Sequence, residues 1–297
     1  MRFLLALILC FVLSRPAFAA DLPHTDLSRT DLPRIVSLNL CADPYLMAFA
    51  EKSQVAALTH LSRDPDLSAH ADAAQGFPVS DGQIESLINL QPDIVIVSSW
   101  SDPMRNALIE RLGFQLLTMD AAQNFVAARS EIIRLGQAIG RETAARAYLE
   151  KLDAEMAALK KPVDRPRILP LQRRNLTAGY GHILDDIISR AGGINLGRNA
   201  RADTMRRVSL ENALAAQADF ILLNERQNAP NDVGTNGRGA DSRGPDSRGM
   251  EFLTHPALAQ HYEPRQRLLI NNNLLACAGA STPRAVKALI AQLTAAP

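Results

Sequence analysis

The sequence predicts an α/β protein with two similar lobes and largely parallel sheets. The first observation is that short apolar runs alternate with amphipathic helical patterns from Arg34 onward, which indicates βα units. The second is an internal repeat, in which IESLINLQPDIVIV (84–97) aligns without a gap with LENALAAQADFILL (210–223). Three polar positions match in identity: Glu85 with Glu211, Gln91 with Gln217, and Asp93 with Asp219. A chance likeness between two helix–strand units is the alternative interpretation of the repeat.

The first half of the chain contains four predicted strands, because β-branched and apolar residues concentrate at 34–38, 55–59, 93–98 and 115–119. Helices are predicted between them, at 44–50, 82–90 and 103–112, where apolar residues recur at helical spacing.

Two consecutive helices follow, over 122–140 and 141–161. The second, RETAARAYLEKLDAEMAALKK, places five apolar side chains on one face: Ala145, Tyr148, Leu152, Met156 and Leu159. At 1.5 Å per residue it would be roughly 30 Å long. Pro162 and Pro166 end it.

The strand pattern resumes in the second half at Arg167, Ala218 and Arg267, and a final helix is predicted over 283–293. Residues 226–250 differ in composition from the rest of the chain, since they are rich in Gly, Asn, Asp and Arg and nearly devoid of large apolar residues. Such a segment buries too little apolar surface to order itself, so a mobile surface loop is predicted there.

The amino terminus predicts export. Met1–Arg2 precedes the apolar run FLLALILCFVLS, and small residues follow at Ala17 and Ala19. This is the pattern of a cleavable secretory signal over 1–19, with cleavage after Ala19 and a flexible leader over 20–33.

The composition and net charge argue against several other classes of protein. Of the 297 residues, 47% are hydrophobic and 21% charged, which is ordinary for a soluble protein. The formal net charge of +1 argues against nucleic-acid binding.

A ligand cleft is expected between the lobes, because ligands of open parallel sheets bind outside the carboxyl ends of the strands. The residues predicted to line it are Asn39, Cys41, Arg63, Asp64, Trp100, Tyr180, His182, Asn224, Asn272 and Cys277. Three have a structural alternative. Trp100 could pack under a loop, His182 could cap a helix, and Asn39 could satisfy the backbone of its turn.

Catalysis is not expected. The sequence has no Gly-x-Ser-x-Gly elbow, no His-Glu-x-x-His, no Walker loop and no dinucleotide fingerprint. Its 6 histidines include no pair at helical spacing that would seat zinc, so neither a metal site nor a cofactor is expected. An α/β enzyme with Cys41 as nucleophile is a competing hypothesis.

Several blocks in order carry a resemblance to a known family. They are RIVSLNLCADPYLMAFA, QIESLINLQPDIVIVSS, the helix over 141–161, ILDDIISRAGGIN and VSLENALAAQADFILL. Together they resemble the periplasmic binding proteins of ABC importers for cobalamin, iron-siderophores and haem. The resemblance covers most of the chain, from Arg34 to Leu293.

The resemblance implies an architecture and a partner. Two Rossmann-like lobes, 34–140 and 162–297, would be joined by one rigid helix over 141–161, with ligand in the cleft between them. Glu85 and Glu211 occupy the positions of the surface glutamates that dock onto arginines of the permease dimer. Two carboxylates on separate lobes would give a two-point register. The alternative is that both are solvated acids near a helix start.

Cys41 and Cys277 depart from the family as a whole. Three interpretations stay open at this point: a disulfide between lobes, two separate thiols, or soft ligands to a bound metal complex.

The resemblance implies a monomeric, periplasmic, non-enzymatic binder of a metal chelate. Cobalamin is favoured over a ferric siderophore, because the sequence shows no evident cluster of arginines for an anionic chelate. The alternatives are a haem-binding protein of the same importer type and an exported sensor or scavenger that works without a transporter.

Overall fold

The chain folds around two separate β-sheets, as the alternating pattern predicts. The computed structural model describes residues 32–201, 203–224 and 251–295, and the chain from Pro33 onward forms one compact unit. The predicted signal over 1–19, the leader over 20–33 except its last two residues, and the loop over 226–250 lie outside the described residues.

The first sheet has five parallel strands in the order β3-β2-β1-β4-β5. The strands are β1 (Ile35–Ser37), β2 (Val55–Thr59), β3 (Val79–Ser80), β4 (Ile94–Ser98) and β5 (Gln115–Met119). The helices between them are α1 (Asp43–Phe49), α2 (Ala71–Ala74), α3 (Ile84–Leu90) and α4 (Pro103–Arg111).

Two paired helices, α5 (Phe125–Ala138) and α6 (Glu142–Ala157), connect the sheets. They run antiparallel. Arg129 pairs with Asp153 near one end, and Gly136 lies against Ala145 near the other, where a Cβ on the glycine would come within 2.5 Å of Ala145 Cβ. α6 corresponds to the predicted connecting helix, with shorter bounds than 141–161, and α5 accompanies it.

The second sheet has six strands and is mixed. Its strands are β6 (Arg167–Gln172), β7 (Leu176–Ala178), β8 (Ile194–Asn195), β9 (Met205–Arg207), β10 (Phe220–Asn224) and β11 (Arg267–Ile270). The order is β11-β10-β6-β7-β9, and β8 pairs with the start of β6. Here β6, β10 and β11 are parallel, whereas β7 is antiparallel to both β6 and β9.

Helices cover the second sheet. They are α7 (Ile183–Arg190), α8 (Leu210–Ala215), α9 (Pro256–His261), α10 (Asn272–Leu275) and α11 (Thr282–Ala295). None of the helices in the described parts of the chain has the length and apolar character that crossing a bilayer requires.

Each sheet is buried on both faces, which explains why the strands read as continuous apolar runs. In β4, Ile94 and Ile96 pack with α5 and α6 side chains, whereas Val95 and Val97 pack with Leu87 and Ile109 on the opposite face. The second sheet divides in the same way: Leu222 faces the core that includes α7 and α11, and Ile221 and Leu223 face α8 and α9.

The two copies of the sequence repeat adopt the same local structure. Gln91 and Gln217 both end their helices with positive φ, at 45° and 48°. The aspartate two residues later accepts the backbone N–H of an arginine at the beginning of the adjacent strand: Asp93 from Arg34, which directly precedes β1, and Asp219 from Arg167, the first residue of β6, each at 2.7 Å. Both lobes therefore use the same helix–turn–strand corner.

The predicted strands at 34–38, 55–59, 93–98, 115–119 and from Arg167, Ala218 and Arg267 are present within two residues of their expected starts. The short strands β3, β7, β8 and β9 were not predicted. The α/β class with mainly parallel sheets is confirmed.

Candidate functional site

Loops at the carboxyl ends of the parallel strands make the polar contacts between the lobes. After β11, Asn272 Nδ2 donates to the Asp66 carbonyl at 3.1 Å, and Asn273 Nδ2 donates to the Pro65 carbonyl at 2.8 Å. Arg284 at the start of α11 donates to the Ala69 carbonyl. Carboxyl edges of the two sheets therefore face each other, which is the arrangement that the predicted cleft requires.

The turn between β1 and α1 is organised by Asn39, which is only 6% exposed. Its Oδ1 accepts the Cys41 N–H at 2.9 Å, and its Nδ2 donates to the carbonyls of Val97 and Met119 at 3.3 and 3.4 Å. Asn39 thus joins the turn to the ends of β4 and β5. The structure therefore shows the alternative role in the turn backbone, and the ligand contact expected of Asn39 stays a prediction.

Cys41 and Cys277 form a disulfide between the two lobes, with Cα atoms 5.4 Å apart. Of the three interpretations, the structure supports the disulfide. A disulfide sulfur is neither a thiolate ligand nor a nucleophile, so separate thiols, soft metal ligands and a Cys41-dependent enzyme are all excluded for this oxidised form.

Close packing surrounds the disulfide. Tyr45 Oη donates to the Ala278 carbonyl at 2.9 Å, and the Tyr45 ring packs edge-on against Tyr148 of α6 at 6.4 Å. Gly279 has φ +110°, and a Cβ there would lie 2.0 Å from Tyr45 Oη and 3.1 Å from Ala128 of α5. Only glycine fits at this position. The backbone of the second lobe at Gly279 therefore lies directly against Tyr45 of the first lobe, beside the connecting helices.

Arg63 and Asp64 are committed to their own loop. The Arg63 guanidinium donates to the Phe77 carbonyl at 2.6 Å and to the Ala74 carbonyl at 3.4 Å. Asp64 Oδ1 accepts the Asp66 N–H at 2.9 Å. These contacts give both residues structural roles that sequence reasoning did not anticipate.

Asn224 and Asn272 meet at the ends of β10 and β11, where Asn224 Nδ2 donates to Asn272 Oδ1 at 3.0 Å. Because Asn272 also contacts the Asp66 carbonyl, this pair belongs to the seam between the lobes.

Trp100 lies in the loop after β4 and is 84% exposed, so it does not pack under a loop. The backbone N–H of Trp100 donates to Ser98 Oγ at 3.2 Å, which fixes the backbone, while the indole ring stays in solvent. An exposed tryptophan at the carboxyl end of a central strand offers a flat apolar surface to a ligand.

Tyr180 is 42% exposed, and the Arg198 guanidinium stacks over its ring at 4.9 Å. His182 Nδ1 accepts the Leu184 N–H at 3.1 Å and caps α7. Burial lowers the pKa of His182, which keeps Nδ1 unprotonated as the cap requires. The helix-cap alternative is therefore the observed role of His182.

Glu85 and Glu211 are exposed in the first turns of α3 and α8, at matching positions of the repeat. Hydrogen bonds from its own backbone N–H and from Ser209 lower the pKa of Glu211. Both side chains are exposed and can reach a partner.

The fold brings together two Arg-Arg pairs of the second lobe that are far apart in the sequence. Arg173 and Arg174 lie in the turn after β6, and pairing of β7 with β9 places Leu176 opposite Arg207 and Thr177 opposite Arg206. Arg207 Nη1 donates to the Arg174 carbonyl at 3.3 Å. The two Arg-Arg pairs were the signal in the sequence for this proximity.

Within the described residues, no group of three or more His, Cys, Asp or Glu side chains is arranged to hold a metal ion.

The chain matches the family model of the periplasmic binding proteins over residues 35–257. Because this match covers more than half of the chain, the chain belongs to that family, whose members are substrate-binding components of ABC importers without catalytic activity. A search of curated protein sequences found no match.

Solved structures of similar fold include three periplasmic binders. The heme-binding protein HutB of Vibrio cholerae has a TM-score of 0.64 and 21% identity, covering 89% of this chain and 99% of that one. A heme-binding protein from Pseudomonas aeruginosa gives 0.61 and 23%, covering 88% and 92%. The vitamin B12 binding protein BtuF of Vibrio cholerae gives 0.56 and 21%, covering 89% and 97%. At these identities the likeness concerns the fold.

Proposed function

We propose that this protein captures a metal chelate in the cleft between its lobes and delivers it to the permease of an ABC importer through Glu85 and Glu211. The observation that carries the proposal is the repeated corner, which presents one exposed glutamate from each lobe in the same local geometry. Family membership supplies the importer context.

The cleft would hold its cargo against Trp100 from the first lobe and against Tyr180 with Arg198 from the second. An indole face and a guanidinium-stacked phenol suit a large, partly flat chelate. Cobalamin, a ferric siderophore and haem are the cargo classes to compare. Cobalamin stays the favoured prediction, because the sequence shows no evident cluster of arginines for an anionic chelate. Solved proteins of this fold include binders of haem and of vitamin B12.

The docking role is tested by charge reversal. We expect Glu85→Lys/Glu211→Lys to abolish uptake of cargo in cells that carry the cognate permease, because each lysine would face the permease arginines with like charge. The purified variant should still bind its chelate with unchanged affinity. This is measured by absorbance titration with cyanocobalamin, haemin and ferric citrate. Each single variant should retain partial uptake.

Glu150→Lys is the matched control, since Glu150 is exposed on α6 and makes the same charge change away from both corners. Normal uptake by the double variant with intact chelate binding would reject docking through these glutamates. It would favour the transporter-independent sensor or scavenger.

A further inference from the structure

The helix that carries Glu85 has a second carboxylate at its start. Asp81 directly follows the edge strand β3 and lies four positions before Glu85. Asp81 Oδ1 accepts the Gln83 N–H at 3.0 Å and the Ser86 hydroxyl at 2.7 Å. These two hydrogen bonds lower the pKa of Asp81, so its carboxylate is charged at neutral pH. Asp81 Oδ2 has no hydrogen-bond partner among the residues that the structure describes, and the side chain is exposed.

An open groove with a volume of about 490 Å³ lies between β3 and α3, beside this carboxylate. Its polar lining includes His60, Asp81, Ser86 and Asn89. Among the described residues that line the groove, Asp81 is the one carboxylate, and there is no lysine or arginine. A fixed carboxylate flanked by hydroxyl and amide groups suits the charged end of a lysine or arginine side chain.

The equivalent position of the second lobe carries the opposite charge. In the register of the sequence repeat, Asp81 corresponds to Arg207. An edge strand precedes the helix in both lobes, β3 before α3 and β9 before α8. Arg207 is the last residue of β9 and lies four positions before Glu211, as Asp81 does before Glu85.

Arg207 is held close to the start of α8. The N–H of the next residue, Val208, donates to the Asn175 carbonyl at 2.8 Å, so the turn after β6 lies against the start of this helix. The Arg207 guanidinium donates to the Arg174 carbonyl in the same turn at 3.3 Å. A carbonyl orients the guanidinium without neutralising it. Arg207 is exposed and has no ion pair with a carboxylate of the described residues.

We propose that the permease presents two docking sites of different charge: a lysine or arginine that enters the groove and pairs with Asp81, and an acidic side chain that pairs with Arg207. The inference rests on the proposed function, because it describes the partner of the two docking glutamates. If the two sites were identical, either Asp81 or Arg207 would face its own charge. Charges arranged in this way determine which partner surface each lobe contacts. The permease would accordingly consist of two non-identical halves.

The experiment measures binding of the purified protein to its cognate permease in lipid nanodiscs by biolayer interferometry. The variants are Asp81→Asn, Arg207→Gln and the charge-swapped Asp81→Arg/Arg207→Asp. Asparagine keeps the oxygen that accepts the bonds from Gln83 and Ser86, so Asp81→Asn removes the charge and leaves the local hydrogen bonds in place.

The matched controls lie on α6, where Glu150 and Lys151 are exposed neighbours. Glu150→Gln and Lys151→Gln remove one charge of each sign, and Glu150→Arg/Lys151→Asp makes the same swap. Chelate affinity and the urea midpoint of unfolding are measured for every variant, and both should match the wild-type values.

We expect Asp81→Asn and Arg207→Gln each to weaken docking about tenfold, because each loses one charge-assisted hydrogen bond to the permease. The charge-swapped variant should dock more weakly than either single variant, since both of its lobes would face like charge. The three control variants should dock as wild type does.

Docking of the charge-swapped variant at wild-type affinity would overturn the inference, because a half-turn on a permease with two equivalent sites restores the same pairs of charges. Unchanged docking of both single variants, with docking still abolished in Glu85→Lys/Glu211→Lys, would also overturn it and leave the proposed function standing. Docking that persists in Glu85→Lys/Glu211→Lys would count against the proposed function and therefore against this inference as well.

Discussion

Asp43 is a buried carboxyl group in the first turn of α1, two residues after the disulfide cysteine. Its side chain is fully buried; Oδ2 accepts the Thr59 N–H at 3.2 Å, and Oδ1 has no hydrogen-bond partner. Burial raises the pKa of Asp43 well above its usual value, and the hydrogen bond from Thr59 offsets only part of the rise. The folded protein therefore favours the protonated acid.

This raised pKa predicts how stability depends on pH. Above the unfolded pKa of about 4 the unfolded chain loses the Asp43 proton while the folded chain keeps it, so stability falls as pH rises. The loss amounts to at most about 1.4 kcal/mol per pH unit until the folded pKa is reached. Asp43→Asn keeps the acceptor for Thr59 and has no proton to lose. We expect the variant to gain stability relative to wild type between pH 4 and pH 7, as measured by urea unfolding. A difference that does not change over this range would contradict the assignment.

At the scale of single residues, sequence reasoning found positions near the strand ends and could not assign their contacts. Asn39, Arg63 and His182 do lie in loops that follow strands. Their side chains form hydrogen bonds with backbone groups, and some of these groups come close only in the folded chain. Asn39, for example, donates to the carbonyl of Met119. Trp100 and Glu85 are exposed as their predicted roles require, and the ligand and permease contacts themselves stay predictions.

At the scale of secondary-structure elements, the repeated corner is the feature that both lobes share. In each copy the helix ends with a glutamine in the left-handed region of backbone conformation. This conformation is strained for a residue that carries a Cβ, whereas glycine adopts it without strain. The same residue then leads to an aspartate that fixes the start of the adjacent strand.

Replacement of these glutamines should stabilise the protein. We expect Gln91→Gly and Gln217→Gly each to raise the free energy of unfolding by about 0.5–1 kcal/mol, because glycine is the preferred residue at a left-handed helix end. Similar gains at both positions would reflect the equivalence of the two corners. Glu150→Gly in the middle of α6 is the control and should cost about 1 kcal/mol. Chemical denaturation of the three variants provides the measurement, and a loss of stability at either glutamine would disprove the prediction.

Most elements could be predicted because strands buried on both faces and amphipathic helices leave strong local patterns, as in IVIV of β4 and the stripe of α6. The strands β7, β8 and β9 are two or three residues long, so no local period identifies them. The pairing of β7 with β9 is what brings Arg207 beside the turn that holds Arg174. This contact between distant segments was therefore not predictable from the sequence alone.

At the scale of the whole molecule, the disulfide acts beside the connecting helices. Its neighbours Tyr45 and Gly279 contact Tyr148 of α6 and Ala128 of α5, respectively. A crosslink close to the helices that join the lobes should restrain their relative rotation, and an opening about those helices should move atoms least there. This placement reconciles a covalent link between lobes with a cleft that must admit cargo.

The crosslink should contribute strongly to stability, because it closes a loop between residues 236 positions apart. The chain-entropy model gives about 5 kcal/mol for such a loop. We expect Cys41→Ser/Cys277→Ser to unfold at a clearly lower denaturant concentration than wild type while its circular dichroism is unchanged, since each lobe keeps its own core. In the same variant, hydrogen exchange should increase around residues 41–50 and 272–282, where the lobes touch, and should stay low in β4 and β10. A reducing agent should reproduce these effects in wild type and add nothing to the double variant. Equal stability of the two proteins, or an increase in exchange spread evenly over both sheets, would show that the disulfide does not act as a local tether between the lobes.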